Sequence, residues 1–159
     1  MHWDGDVLPT PPETVVLHDF LLVLSDALPD LAARWLAADV ADSPSVRSLA
    51  GASPRHPWIV EGLLASTVDE LGLDVPTTTR ERKAVAVEWV ARDWLRNRDA
   101  RQAIGLLSHL AEMNLDLYLG LDEFIGLAEE WDFPGDWARD REELESRAGQ
   151  LLTGFLREV

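Results

Sequence analysis

Cysteine is absent, and lysine nearly so. Without cysteine the chain can form no disulfide and offers no thiolate to a metal or an acyl group. That absence agrees with a reducing compartment, so a cytoplasmic protein is expected. Of the 14 basic residues, Lys83 is the single lysine. Charges interrupt every apolar run well before the ~18 residues that a membrane helix needs, so no membrane span is expected. The opening MHWDGDVLPTPPE carries no basic stretch followed by an apolar one, so no secretory signal is expected.

The motifs of common enzyme chemistry are missing too. Neither GxGxxG nor GxxxxGK occurs, and glycines such as Gly51 and Gly62 stand alone, so no loop is suited to cradle phosphates. No serine lies in GxSxG. Ser108 and His109 are adjacent, but neighbours on a helix diverge by about 100° and cannot form a dyad. The histidines His2, His18, His56 and His109 are scattered. His109 and Glu112 share a helix face and would supply two ligands, where a catalytic zinc takes three from the protein. The expectation is no metal, no cofactor and no catalytic residue.

What is present is carboxylate and apolar surface. The chain has 159 residues, 47% of them hydrophobic, which suits one domain with a real core. The net charge is −15. It is unevenly spread: residues 1–76 carry −9, residues 77–111 carry +3 and residues 112–159 carry −9. A field of that sign repels nucleic acid and anionic lipid and attracts basic proteins. The Arg80–Arg101 segment, with Trp89 and Trp94 inside it, resembles a nucleic-acid strip only until its four interleaved acids are counted. No nucleic-acid partner and no membrane partner are expected.

Periodicity points to an all-α fold of about seven helices and one helical turn, as a bundle or short stack. Residues 1–11 read as an extended lead-in and residues 12–159 as a single helical domain. Thr10 before Pro11, Pro12 and Glu13 reads as a helix cap. The first helix is expected to run to about Leu28, stopped by Pro29. A second covers Asp30 to about Ala41, and Ser43-Pro44 opens a short turn through Leu49. The helix from Trp58 to Leu71 places Ile59, Val60, Leu63, Leu64, Val68 and Leu71 inward, and Gly72 ends it. In the helix Arg80–Asn97, Ala86, Val87, Val90, Ala91, Trp94 and Leu95 form an apolar arc, with Trp89 and Val85 on the charged side. A helix from Ala100 to Met113 follows. Leu115, Leu117, Leu119 and Leu121 then alternate with polar or small residues, which reads as an extended link or a helix distorted at Gly120. A helix from Asp122 to Glu130 ends at Asp132-Phe133-Pro134-Gly135. Asp136 is expected to cap the last helix, whose stripe begins at Trp137 and continues through Leu144, Ala148, Leu151, Leu152, Phe155 and Leu156.

Elimination favours a non-enzymatic binding protein. Trp58 and Trp89 fall opposite the apolar faces of their helices, and exposed tryptophan beside arginine is a frequent interface anchor. The candidate protein-binding residues are therefore Trp89, Arg92 and Arg96, together with the acidic rim Glu129, Glu130 and Asp132. The expected partner is a basic protein, as for an immunity or inhibitor protein that docks on a toxin. Two alternatives remain: a small enzyme with an inter-helix pocket near Arg101, His109 and Glu112, or a subunit that self-associates through Val85 and Trp89.

Overall fold

Thr10 begins the helical part of the chain. Its hydroxyl accepts from the Glu13 amide while the Glu13 carboxylate accepts from the Thr10 amide. This reciprocal capping box, with proline in the first turn, starts α1 (Pro11–Asp19). The computed structural model describes residues 6–113 and 120–157. Among these the fold is all-α: eight α-helices, one 3-10 turn and no strand. No helix among them is long and apolar enough to cross a membrane.

The helices form two compact units, divided between Arg82 and Lys83. The first holds α1, the 3-10 turn Ser25–Ala27, α2 (Leu28–Ala37), α3 (Pro44–Ala50) and α4 (Pro57–Leu71). Its core is Val16, Leu17, Leu28, Leu31, Trp35, Val46, Leu49, Val60 and Leu64, all buried. Trp35 donates its indole N–H to the Pro9 carbonyl at 2.7 Å, which fastens the lead-in to α2. Ser43 caps α3 by accepting from the Val46 amide. Glu70 accepts from both the amide and the hydroxyl of Ser45, tying α4 to α3. Those bonds hold its carboxyl below the usual range.

The first helix is shorter than its apolar residues suggest. Continued helix through Leu28 would spread those residues over more than half of a cylinder. Instead Leu21 turns left-handed, with φ of 58°. The Leu21 amide then donates to the His18 carbonyl and the Leu22 amide to the Leu17 carbonyl. This is the Schellman arrangement, with leucine where glycine is usual. The reversal buries Leu22 and Val23 and leaves Leu21 outside. His18 fixes the reversed segment, its Nδ1 lying 2.9 Å from the Val23 carbonyl and its Nε2 3.3 Å from Glu61. Pro29 accordingly does not stop the first helix but sits in the first turn of α2. The same turn recurs at Asp39 after α2, with φ of 56°, and at Gly72 after α4.

α5 (Thr79–Asn97) crosses from one unit into the next, and α6 (Ala100–Met113), α7 (Asp122–Asp132) and α8 (Arg141–Arg157) complete the second. The alternating stretch Leu115–Leu119 lies outside the described residues; Leu121, next to α7, is buried. α5 is rotated from its expected setting. Trp89 is only 2% exposed, whereas Leu95 is 42% exposed. Lys83 and Asp93 are buried as well. At about 100° per residue these positions shift the buried arc by roughly 50° toward Trp89. Size decides the rotation: an indole removes far more apolar area from water than an isobutyl group. Asp93 is accommodated by the Asn97 amide, 2.9 Å away. Trp89 is therefore a core residue and not the exposed anchor that its charged neighbours suggest. Trp58 is 68% exposed, as its arc predicts, but its neighbour Ile59 is exposed with it.

Two stability measurements follow. Trp89→Ala is expected to cost about 3–5 kcal/mol in urea unfolding, while Leu95→Ala stays within about 1 kcal/mol. Asp39→Gly is expected to stabilise by about 0.5–1 kcal/mol, because it removes left-handed strain and a negative charge at a helix C-terminus. A loss of stability there would refute the strain argument.

Candidate functional site

The break between α7 and α8 produces the most unusual surface of the second unit. Phe133 precedes Pro134, and the residue before proline is pushed out of helical geometry, so α7 ends at Asp132. The Phe133 amide still donates to the Glu129 carbonyl at 2.9 Å, and the Ala138 amide donates to the Gly135 carbonyl at 3.0 Å. Arg139 then returns to α7. Its guanidinium donates to both carboxylate oxygens of Glu130, at 2.7 and 3.0 Å, and its amide donates to the same carboxylate at 2.9 Å. A two-pronged ion pair with a backbone bond thus closes a loop over residues 131–138.

α8 starts immediately after this clamp. Asp140 accepts from the Glu143 amide at 2.9 Å, and Glu143 accepts from the Asp140 amide at 3.2 Å. The cap of the last helix is thus Asp140, not Asp136. An aspartate with a glutamate three places on satisfies two amides reciprocally, which Asp136 with Arg139 cannot do. The consequence for Trp137 is large. Expected as the first core residue of that helix, it lies in the loop and is 66% exposed.

Below the loop the two helices are firmly joined. Phe124, Leu127 and Trp131 of α7 and Leu144, Ala148 and Leu152 of α8 are buried. Phe124 and Phe155 approach with ring centres 6.1 Å apart. Arg147 forks onto Glu123, one of the two bonds being 2.8 Å. The Arg141 guanidinium lies over the Trp131 ring at 5.4 Å.

What faces outward is an aromatic pair in an acidic setting. Phe133 is 70% exposed, and Trp137 nearly as much. Glu129, Asp132 and Asp136 beside them are exposed too. Residues 129–143 contain seven carboxylates and two arginines. Both arginines are committed within the fold, Arg139 to Glu130 and Arg141 to Trp131.

The acidic half of the expected site, Glu129, Glu130 and Asp132, is gathered at the end of α7, but its members differ in role. Glu130 is the clamp. The Arg139 side chain, and then its backbone amide, hold the Glu130 carboxyl down at about 2. Arg139 is raised in turn by the same contact. Glu129 and Asp132 remain on the surface. The basic half lies on α5: Arg92 is half-buried, 3.9 Å from Glu88, and Arg96 is exposed. Phe133 and Trp137 are absent from the expected site. The Asp140–Glu143 capping box is the signal that would have found Trp137, since it starts the helix after that residue.

The residues of the enzyme alternative lie along α6, with Arg101 and Glu112 exposed and His109 half-buried. No group of three or more histidines or carboxylates among the described residues is arranged to hold a metal. The first unit has an open apolar cleft of about 440 Å³ between Pro11, Pro12, Val40, Ala41, Leu71 and Leu73. Its polar members are Thr10 and Asp42. Thr10 accepts in the α1 cap, and Asp42 forms a forked pair with Arg47. No family model matches this chain, and no curated protein or solved structure matches it significantly.

The clamp predicts a pH dependence. The Glu130 carboxyl is held at about 2 in the folded chain against an ordinary 4.5, so the folded state favours the ionised form. Its contribution is complete above pH ~4.5 and is lost as pH falls toward ~2. Glu130→Gln should therefore lower the thermal midpoint at pH 7 and narrow that difference steadily between pH 4.5 and 2. A midpoint difference that is constant with pH would show that the ion pair does not hold the loop.

Proposed function

We propose that this chain is a non-enzymatic, acidic helical binding module whose α7–α8 corner docks on a basic protein. The observation that carries the reading is the clamped loop, which presents Phe133 and Trp137 to solvent beside Glu129, Asp132 and Asp136. A few anchor residues, often aromatic, supply most of the energy of protein interfaces, and a loop fixed beforehand loses little entropy on binding. The −15 charge adds long-range attraction for a cationic surface.

In its more specific form the proposal is an immunity or inhibitor protein that covers the cationic site of a toxin such as a nuclease. A nucleic-acid-binding site is basic by necessity. An acidic body with aromatic anchors has the complementary charge and can exclude the substrate by occupying that site.

Capture from the native cell extract, with wild type and the Phe133→Ala/Trp137→Ala variant side by side, tests the reading. Both side chains are exposed, so the variant should keep its helical circular dichroism. Wild type is expected to retain a stoichiometric basic protein at low salt and release it as salt rises. The variant should lose at least about tenfold in affinity. Equal retention by the two proteins, or retention of no basic protein, would overturn the proposal.

A further inference from the structure

We infer that the group received by this corner is an arginine guanidinium stacked on the Trp137 indole, with Asp132 and Asp136 as its carboxylate partners. The corner would then select arginine-rich segments over lysine-rich segments of equal charge. This inference rests on the reading that the corner docks a basic partner.

The indole is seated without being covered. Its pyrrole edge lies on Gly135, where a Cβ would come within 3.0 Å of Nε1 and 3.1 Å of Cδ1. Contact along one edge leaves most of the side chain in solvent. Asp136 adjoins Trp137 in the chain, and Asp132 adjoins Phe133. Nearby acids are engaged within the fold: Glu130 with Arg139, and Asp140 with the start of α8. Asp132 and Asp136, next to the exposed rings, are not engaged in this way.

A guanidinium fits this arrangement better than an ammonium. It is planar and weakly hydrated, so its face can lie on an indole while its edge N–H groups reach carboxylates on either side. An ammonium has no face and keeps its water more strongly. The second unit contains the stacking half of this geometry twice, with Arg98 over Trp94 at 4.7 Å and Arg141 over Trp131 at 5.4 Å. Trp131 and Trp137 bracket the loop, one stacked by an arginine of its own chain and the other turned to solvent. Trp58 is equally exposed but has a different setting. It follows Arg55 and His56, and its ring packs near the His56 ring at 5.2 Å. A basic flank of that kind does not attract a second cation.

The test is calorimetric titration of the full-length chain with two peptides of equal length and charge, one with six arginines and one with six lysines, spaced identically by glycine and serine. The arginine peptide should bind at least about fivefold tighter. Trp137→Leu should bring that ratio close to one by weakening the arginine peptide alone, and Trp137→Phe should restore part of it. Circular dichroism verifies that each variant is folded. Equal binding of both peptides, unaffected by Trp137→Leu, would overturn the arginine inference and leave charge-driven docking in place. Binding of neither peptide would also overturn it. The docking reading itself then stands or falls on whether the Phe133→Ala/Trp137→Ala variant loses its captured partner.

Discussion

The pair formed by Glu130 and Arg139 sets the geometry of the α7–α8 corner. Its two side-chain bonds and one backbone bond bring together residues nine apart in the chain. A single exposed ion pair contributes little to stability, since water screens it and two long side chains must be ordered. Here the forked geometry and the backbone amide direct the chain as well as joining it. With Arg139 held against α7, Asp140 is placed to cap α8, and the segment before it must bulge outward. The second fork, Arg147 on Glu123, acts nearer the other end of α7. Between the two forks lie the buried side chains of Phe124, Leu127 and Leu144. The exposure of Phe133 and Trp137 is therefore a consequence of how the helices are joined.

Helix termination imposes a comparable constraint. Leu21, Asp39 and Arg98 adopt the left-handed conformation without being glycine. Each costs on the order of 1 kcal/mol. The return is that carbonyls at the helix end find donors and the chain reverses sharply. After α1 the reversal also buries Leu22 and Val23. At Arg98 the guanidinium stacks back on Trp94 of the helix it ends. Only Gly72 announces such a turn in the sequence, which is why the end of α4 was legible and the end of α1 was not. Apolar periodicity marks where a helix is possible, but it says nothing of a leucine that breaks one.

The same distinction explains the rest of what the sequence allowed. The all-α fold and the extents of α4, α5 and α6 follow from spacing, helped at α4 by a proline in its first turn. The orientation of α5 does not, because counting apolar residues gives Leu95 the same weight as Trp89. At the candidate site, the acidic rim could be read from composition. The division of labour within it could not, since Glu130 differs from Glu129 only through Arg139, nine residues later. Trp137 was misplaced because it stands seven residues, two helical turns, before Leu144 and so falls by coincidence in line with the α8 stripe. Lys83 is a further case: the one lysine of the chain is buried in α5, its pKa lowered by burial and partly raised again by Asp122. Nothing in the residue type suggests that location.

Net charge and the aromatic corner also depend on each other. Two large exposed rings are a liability in a dissolved protein, because they promote association between copies. A charge of −15 opposes that association by repulsion between like surfaces. Some of the negative charge is engaged within the chain, in pairs such as Asp19 with Arg82, Asp42 with Arg47 and Glu123 with Arg147. Glu129, Asp132 and Asp136 are spared from such pairing and stand beside the rings. Under the proposed reading, one field then serves two ends. It keeps a second copy of the chain away from Phe133 and Trp137, and it draws in a surface of opposite sign. The choice of partner would be made at long range by charge, and the strength of attachment at short range by the two rings that the clamp holds outward.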